Sequence, residues 1–373
     1  MTQPATPQRI LAQRTVSMMG TTVDVQVAGT DLQQRLAEQA IADCFDWLAE
    51  VEHCLTRFSS TSELSALNAS QGTWFGASDI LYTAVEAALW GARSSDGLFD
   101  PTLLTDLETL GYDRDFALIR HREVAIHEQR AGAPANGWTR IELDPDTRSI
   151  RLPEGVRLDL GGIAKGWAAD VAMQMFFEPF AGALVNLGGD LRVTGGPADS
   201  QPWTVSILGT GGATQVAAGS ARLSRGAMAT SGAVERWWLR GNTPVHHLLD
   251  PRSRQPADLW TNGLPFTTDD QRTATVTAFA PTATRAEVAA KVAILRGLPS
   301  ALTATEQQWS AYGPTAPIDN ALAGVALLFV LGNGAVVASA NLDDWLSTWG
   351  TATAPLRVSI LQQSHSSARG DHP

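Results

Sequence analysis

The chain is poor in the residues that mark several protein classes. Only two cysteines occur in 373 residues, Cys44 and Cys54. Both fall on one predicted helix, where ten residues rise about 15 Å, well beyond the ~7 Å that a disulfide can bridge. A disulfide-stapled scaffold is excluded, and the pair reads as buried thiols rather than redox or metal groups, which fits a reducing compartment. Positive charge is also scarce: 27 Lys and Arg against 38 Asp and Glu give a net charge of −11. Nucleic acid is attracted by a basic surface, so no nucleic-acid partner is expected. The most apolar run, "ALAGVALLFVL" at 321–331, has 11 residues, where a membrane-spanning helix needs about 20. The opening "MTQPATPQRILAQRTVSMMG" contains neither the apolar core of an export signal nor a cysteine to carry lipid. A cytoplasmic location is therefore expected. No repeat of fixed period is present, which sets repeat architectures aside.

What remains is a globular composition, 44% hydrophobic and 17% charged. The length allows one large domain or two ordinary ones. Twelve tryptophans are scattered along the chain and read as core or cleft walls. "TVSMMGTTVDVQVAG" alternates as a strand or hairpin. A helix is expected from near Thr30 or Asp31, with Leu36, Ala40, Cys44, Leu48, Val51 and Leu55 on one face. A second spans about 78–95 between Ser78 as N-cap and Gly97 as stop. "TRIELDPDTRSIRLP" reads as a hairpin, 285–296 as a helix, and 321 to about 339 as a buried hairpin turning at "GNG". Strands outnumber helices and do not alternate strictly with them, so the expected class is α+β with mixed or antiparallel sheets and packed helices.

The stretch "RLDLGGIAKGWAAD", 157–170, carries the strongest chemical signal. A strand-like "VRLDL" runs through Gly161-Gly162 into a helix, with Asp159 and Lys165 on either side. It reads as a tight turn or as a phosphate site, since a helix N-terminus offers free N–H groups and glycine admits a ligand to the backbone. The spacing of a P-loop is absent. "VNLGGDLRV" places a second glycine pair between Asn186 and Asp190; it is an ordinary turn or the other half of one cradle. "ATSG" offers the hydroxyls of Thr230 and Ser231. In "HHLLDPRSRQP", His247 is either structural or a base near neutral pH. "RFSSTSELSALN" and "FDPT" read locally as caps and turns.

In this order, "SMMGT", "FSSTSELSALN", "GLFDPT", "LGYD", "DLGGIAKGWAAD", "VNLGGDLRV", "ATSG" and "HHLLDPRSRQP" resemble the FAD:protein FMN transferase family, the ApbE-like flavin transferases. The resemblance covers roughly 15–340. A single domain of that kind is expected over 15–362; the residues at 1–14 read as a loose leader, and the polar stretch 363–373 as a disordered tail. The resemblance implies binding of FAD, cleavage of its pyrophosphate with Mg2+, transfer of FMN to a Ser or Thr hydroxyl of a target flavoprotein, and release of AMP. Carried over to this chain, Asp159 and Lys165 would contact FAD, and the Gly162 carbonyl and Glu287 would face the metal. Met19, Phe58, Glu63, Asn68, Phe99 and Asp100 would line the flavin and adenosine cleft. Thr230 and Ser231 would lie beside the phosphates, His247 would be the base, and Asp250 would shape its loop.

The chain departs from the family pattern at several points. Phe58 stands where Tyr is common. In "RAEVAAKVAILRG", Glu287 replaces an Asp and Lys291 replaces the Thr that would share the metal. Arg254 replaces a turn glycine, which suggests an altered turn, and a long insert follows at about 257–271. Two further readings follow from the same motifs: an FAD pyrophosphatase giving FMN and AMP, and a flavin-binding protein with little catalysis.

Overall fold

In the computed structural model of the chain, the structure describes residues 7–120, 123–124, 136–211, 214–259, 272–305, 321–345, 349–350 and 358–360. The expected tail at 363–373 and most of the insert lie outside the described residues.

The frame is one large sheet whose strands follow chain order. They are β1 (Arg9–Met18), β2 (Thr21–Gly29), β3 (Gly182–Leu187), β4 (Asp190–Thr194), β5 (Arg225–Gly232), β6 (Thr273–Ala280), β7 (Ala326–Leu331), β8 (Val336–Ala338) and β9 (Val358–Ile360). Every neighbouring pair is antiparallel except β8 and β9. The α+β class is borne out. β1 begins at Arg9, opposite Gly29, so residues 9–14 are strand rather than loose leader: they satisfy their backbone groups on β2.

Two hairpins show why the chain turns where it does. Met19 and Gly20 both hold positive φ, 54° and 65°, the conformation that matches the twist of a two-residue hairpin. Gly188 and Gly189 join β3 to β4 at φ 69° and 96°. A Cβ on Gly188 would fall 2.2 Å from Thr21 Oγ1, so glycine is required there on both counts. The β7–β8 hairpin was expected from "GNG" and is found, as is the antiparallel pair Glu142–Asp144 with Ser149–Arg151.

Helices cover one face of the sheet. α1 (Gln34–Leu55) follows a 3-10 turn at Asp31–Gln33, with Thr30 and Gln33 forming the capping box. It buries Ala37, Ala40, Ile41, Cys44, Phe45, Leu48, Val51 and Leu55. Leu36, expected on that face, is 53% exposed in the first turn, where Ala37 is the residue that turns inward. α2 (Glu63–Ala69) and α3 (Asp79–Ser94) follow. Ser78 Oγ caps α3 by accepting from the Leu81 N–H, and Gly97 follows its end at φ 75°. α4 (Ala164–Phe176) packs on β3 and β4, and α5 (Ala283–Arg296) on β5 and β6. The opposite face is covered by the hairpin Trp203–Gly211 with Thr214–Leu223, through Trp203, Val205, Ile207 and Leu223.

A small satellite core joins Leu103, Leu107, Leu110 and Tyr112 to Trp238, Val245 and Leu249. Trp238 Nε1 donates to the Leu110 carbonyl at 2.7 Å. This fastens the hairpin Trp237–Arg240 with Thr243–His246 to the segment after Asp100. The His-containing loop is thereby tethered next to the glycine corner.

No helix among the described residues is long and apolar enough to cross a membrane.

Candidate active site

The expected strand "VRLDL" forms no strand and joins no sheet. A side chain supplies its hydrogen bonds instead. Asn68, buried on α2, accepts from the Leu158 N–H at 2.7 Å and donates to the Leu158 carbonyl at 2.9 Å. The Asp159 N–H donates to the Pro101 carbonyl at 2.9 Å. Asn68 therefore positions the corner. Glu63 is likewise occupied inside the fold: it accepts from the Ser78 N–H at 2.6 Å and from Cys54 Sγ at 3.0 Å. Burial, reinforced by Glu63, pushes the Cys54 thiol up to about 12, and burial does the same for Cys44. Both are inert thiols, as the sequence suggested.

Asp159 turns back on the corner and accepts from the Gly161 N–H at 2.7 Å. Its other oxygen meets Arg57 Nε at 3.0 Å. Arg57 is 5% exposed and donates to the Tyr112 carbonyl at 2.8 Å. Its guanidinium lies 4.3 Å from the Phe58 ring centre and 4.5 Å from that of Tyr112. Its Nη2 is buried without a hydrogen-bond partner. Phe58 is 41% exposed, leaving an aromatic face open beside this cation.

The helix after the corner meets α5 through glycine. A Cβ on Gly166 would lie 2.5 Å from the Ala283 carbonyl oxygen and 2.9 Å from Glu287 Oε2. With only hydrogen there, the Gly166 N–H donates to Glu287 Oε2 at 2.8 Å. Glu287 is 1% exposed. Its Oε1 lies 3.1 Å from Lys291 Nζ and 4.0 Å from Lys165 Nζ. Lys165 is itself ion-paired with Asp190. Burial opposes the charge on Glu287, but Lys291, Lys165 and the Gly166 amide outweigh it and hold its pKa below the usual value. Burial likewise opposes Lys165, while Asp190 and Glu287 hold its pKa above the usual value. At Gly162 a Cβ would stand 3.2 Å from Lys291 Cε and 3.3 Å from the Phe99 ring, so these two side chains frame the corner. Asp170, the last residue of the motif, accepts from the Ala283 and Thr284 N–H groups at 2.8 Å each and caps α5.

His247 borders the same cluster. Its Nδ1 is 3.3 Å from the Arg236 carbonyl. A carbonyl only accepts, so Nδ1 carries the hydrogen and the Nε2 lone pair is left for a proton. Burial first, then the charges of Arg236 and Lys291 and the neighbouring His246, hold its pKa well below 6.5. Asp250 accepts from the Arg252 backbone at 2.9 Å and pairs with its guanidinium at 2.7 Å, which shapes the loop after His247. Arg254 keeps a glycine-like φ of 59°, with its N–H on the Asp250 carbonyl at 2.6 Å. This bond closes the turn, and the Arg254 charge acts on Asp100 and Asp106. Asp100 accepts from the Thr102 N–H at 2.8 Å, and burial raises its pKa.

Three expected positions lie on the large sheet and its first turn. Met19 is in the β1–β2 turn, its N–H on Glu52 at 2.7 Å. Thr230 and Ser231 alternate across β5. Thr230 shares the face of Met228, toward the Trp203–Gly211 hairpin, and bonds Thr277 at 2.9 Å. Ser231 shares the face of Ala227 and Ala229, toward α5, and is buried. Only one of the two can face the corner. A surface hollow of about 360 Å³ at Gln8, Ala181 and Gly195 has no titratable side chain, whereas the corner gathers several.

The signature of the ApbE family matches residues 19–312. The chain belongs to the ApbE family. An FAD:protein FMN transferase of Treponema pallidum is 29% identical over 326 residues, covering 82% of this chain and 80% of that protein. The ApbE protein of Thermotoga maritima superposes with a TM-score of 0.70 at 22% identity, over 90% of this chain and 99% of that one. The apo flavinyl transferase ApbE of Pseudomonas stutzeri does so at 0.65 and 20%, over 93% and 99%. At such identities the two structures speak for the ApbE fold.

Within this ApbE frame the residues do not fit magnesium. Of the two Glu287 oxygens, one accepts from Gly166 and the other faces Lys291. An ammonium has no lone pair to give a metal. Among the described residues, no three His, Cys, Asp or Glu side chains group to hold one. Sequence reasoning missed Arg57, Gly166 and Arg236 and the pairing of Lys165 with Asp190. Arg57, Gly166 and Asp190 lay inside quoted motifs. A lone arginine buried between two rings carries no local signal.

Proposed function

We propose that this chain is an FAD:protein FMN transferase, cleaving the FAD pyrophosphate and passing FMN to a Ser or Thr hydroxyl of a target flavoprotein. The observation that carries this reading is the neutral His247, its Nδ1–H on the Arg236 carbonyl at 3.3 Å, next to Lys291 and the glycine corner. The names of the relatives point the same way.

The acceptor oxygen attacks the FMN-side phosphorus. A new O–P bond forms, the bond to the bridging oxygen breaks, and its electron pair leaves with AMP. The hydroxyl proton passes to His247 Nε2. Such transfer depends chiefly on positioning and charge neutralisation. Lys165 and Lys291 supply the charge, with Arg57 and the exposed Phe58 ring beside them for the rest of the dinucleotide. The cations that depress His247 also give the site its sense: a bound dianion offsets them, so the ring becomes a stronger base when substrate is in place. The magnesium implied by the resemblance is left out, because Lys291 takes up the oxygen of Glu287 that would face it.

The test is incubation with FAD and candidate acceptor flavoproteins, followed by mass analysis and AMP measurement. An FMN adduct on Ser or Thr, with AMP in equal amount, is expected. AMP with free FMN and no adduct would make the chain a pyrophosphatase. Absence of AMP would overturn the reading.

A further inference from the structure

We propose that Lys291 takes over in this chain the work of a divalent cation, so that FAD binds and reacts here without metal. The inference rests on the transferase reading above.

The geometry is specific. Lys291 stands one turn after Glu287 on α5, with Nζ 3.1 Å from Glu287 Oε1. Its stem lies against Gly162, where a Cβ would sit 3.2 Å from Cε. Lys165 approaches the same carboxylate oxygen to 4.0 Å from the other side. Two ammoniums thus flank one buried carboxylate at the mouth of a glycine turn. The carboxylate is 1% exposed, yet the lysine side chains are 18% and 20% exposed. The cations face outward and their counter-ion is sealed behind them. A pyrophosphate arriving at the corner meets ammonium donors, while a free divalent ion meets like charge and a carboxylate already paired. Lys291 adds a tethered ammonium beside that of Lys165, and its presence does not depend on the concentration of metal.

Calorimetric titration of Mg2+ into the full chain, with and without FAD, tests this directly. No saturable uptake is expected up to about millimolar metal, and saturable uptake below that overturns the inference. FAD binding, read by flavin fluorescence, should differ by less than about threefold between EDTA and Mg2+. In EDTA, Lys291→Met should weaken FAD binding by about tenfold or more with the fold intact by circular dichroism. The double change Glu287→Asp with Lys291→Thr should restore binding only when Mg2+ is added. Unchanged affinity in Lys291→Met also overturns the inference. AMP release that requires Mg2+ in the natural chain sinks the lysine role and leaves the transferase reading standing. FAD bound in EDTA, with no AMP and no FMN adduct under any condition, does the reverse. FAD bound under neither condition overturns both.

Discussion

The Gly166 N–H donates to Glu287 Oε2 at 2.8 Å, across 121 positions of chain. This bond sets α4 against α5 and brings the glycine corner to the lysine pair. It exists only because Gly166 has no side chain.

Gly166→Ala should therefore be harmful. In a free helix the exchange stabilises by up to about 1 kcal/mol. Here the added methyl would press on the Ala283 carbonyl at 2.5 Å, and overpacking costs about 1–3 kcal/mol. The steric cost wins. Urea unfolding should show a net loss, with FAD affinity reduced; a more stable variant would refute the packing account.

Asn68→Ala should strip both hydrogen bonds from Leu158. A buried amide left unpaired costs about 1–3 kcal/mol. Asn68→Asp should recover little, since a carboxylate can accept from the Leu158 N–H but faces its carbonyl with no hydrogen. Thermal melts of the three proteins check the order natural, then Asp, then Ala or equal to it.

His247→Ala should leave FAD affinity nearly unchanged and lower FMN transfer by about 10²–10⁴-fold, the usual worth of a general base. Single-turnover transfer and fluorescence titration separate the two. Equal transfer rates would remove His247 from its role.

Stability should fall in mild acid. His246 is buried, and its pKa is lowered to about 4 by burial, against a partial gain from its bond to the Ala257 carbonyl. The unfolded chain takes up a proton below about 6.5 that the folded ring refuses. The contribution is complete above that pH and is lost as pH falls toward 4. The slope is about 1.4 kcal/mol per pH unit for each such histidine, and His247 is shifted in the same direction. Urea unfolding between pH 5 and 6.5 should show it, and His246→Gln should remove one proton from the slope.

Thr230→Val should remove the bond to Thr277, at about 1 kcal/mol, and leave transfer intact, whereas Ser231→Val should impair it. The reverse result would put Thr230 on the side of the corner.

Sequence alone determined the features whose causes are local. Thr30 and Ser78 cap their helices, and Gly97, Gly188 and Gly189 occupy positive φ, because capping and left-handed backbone act within a few residues. The order of the motifs carried the family. Tertiary structure alone decided what the polar residues do. Glu63 is spent on Ser78 and Cys54, and Asn68 on Leu158, 90 positions away. Arg57 is slotted between Phe58 and Tyr112. The alternation of β5 separates Thr230 from Ser231, but only the layers on each side of the sheet decide which one faces α5. Lys291 reaches Gly162 because α4 and α5 touch at Gly166. That contact depends on how two helices pack over one sheet, and no local pattern encodes it.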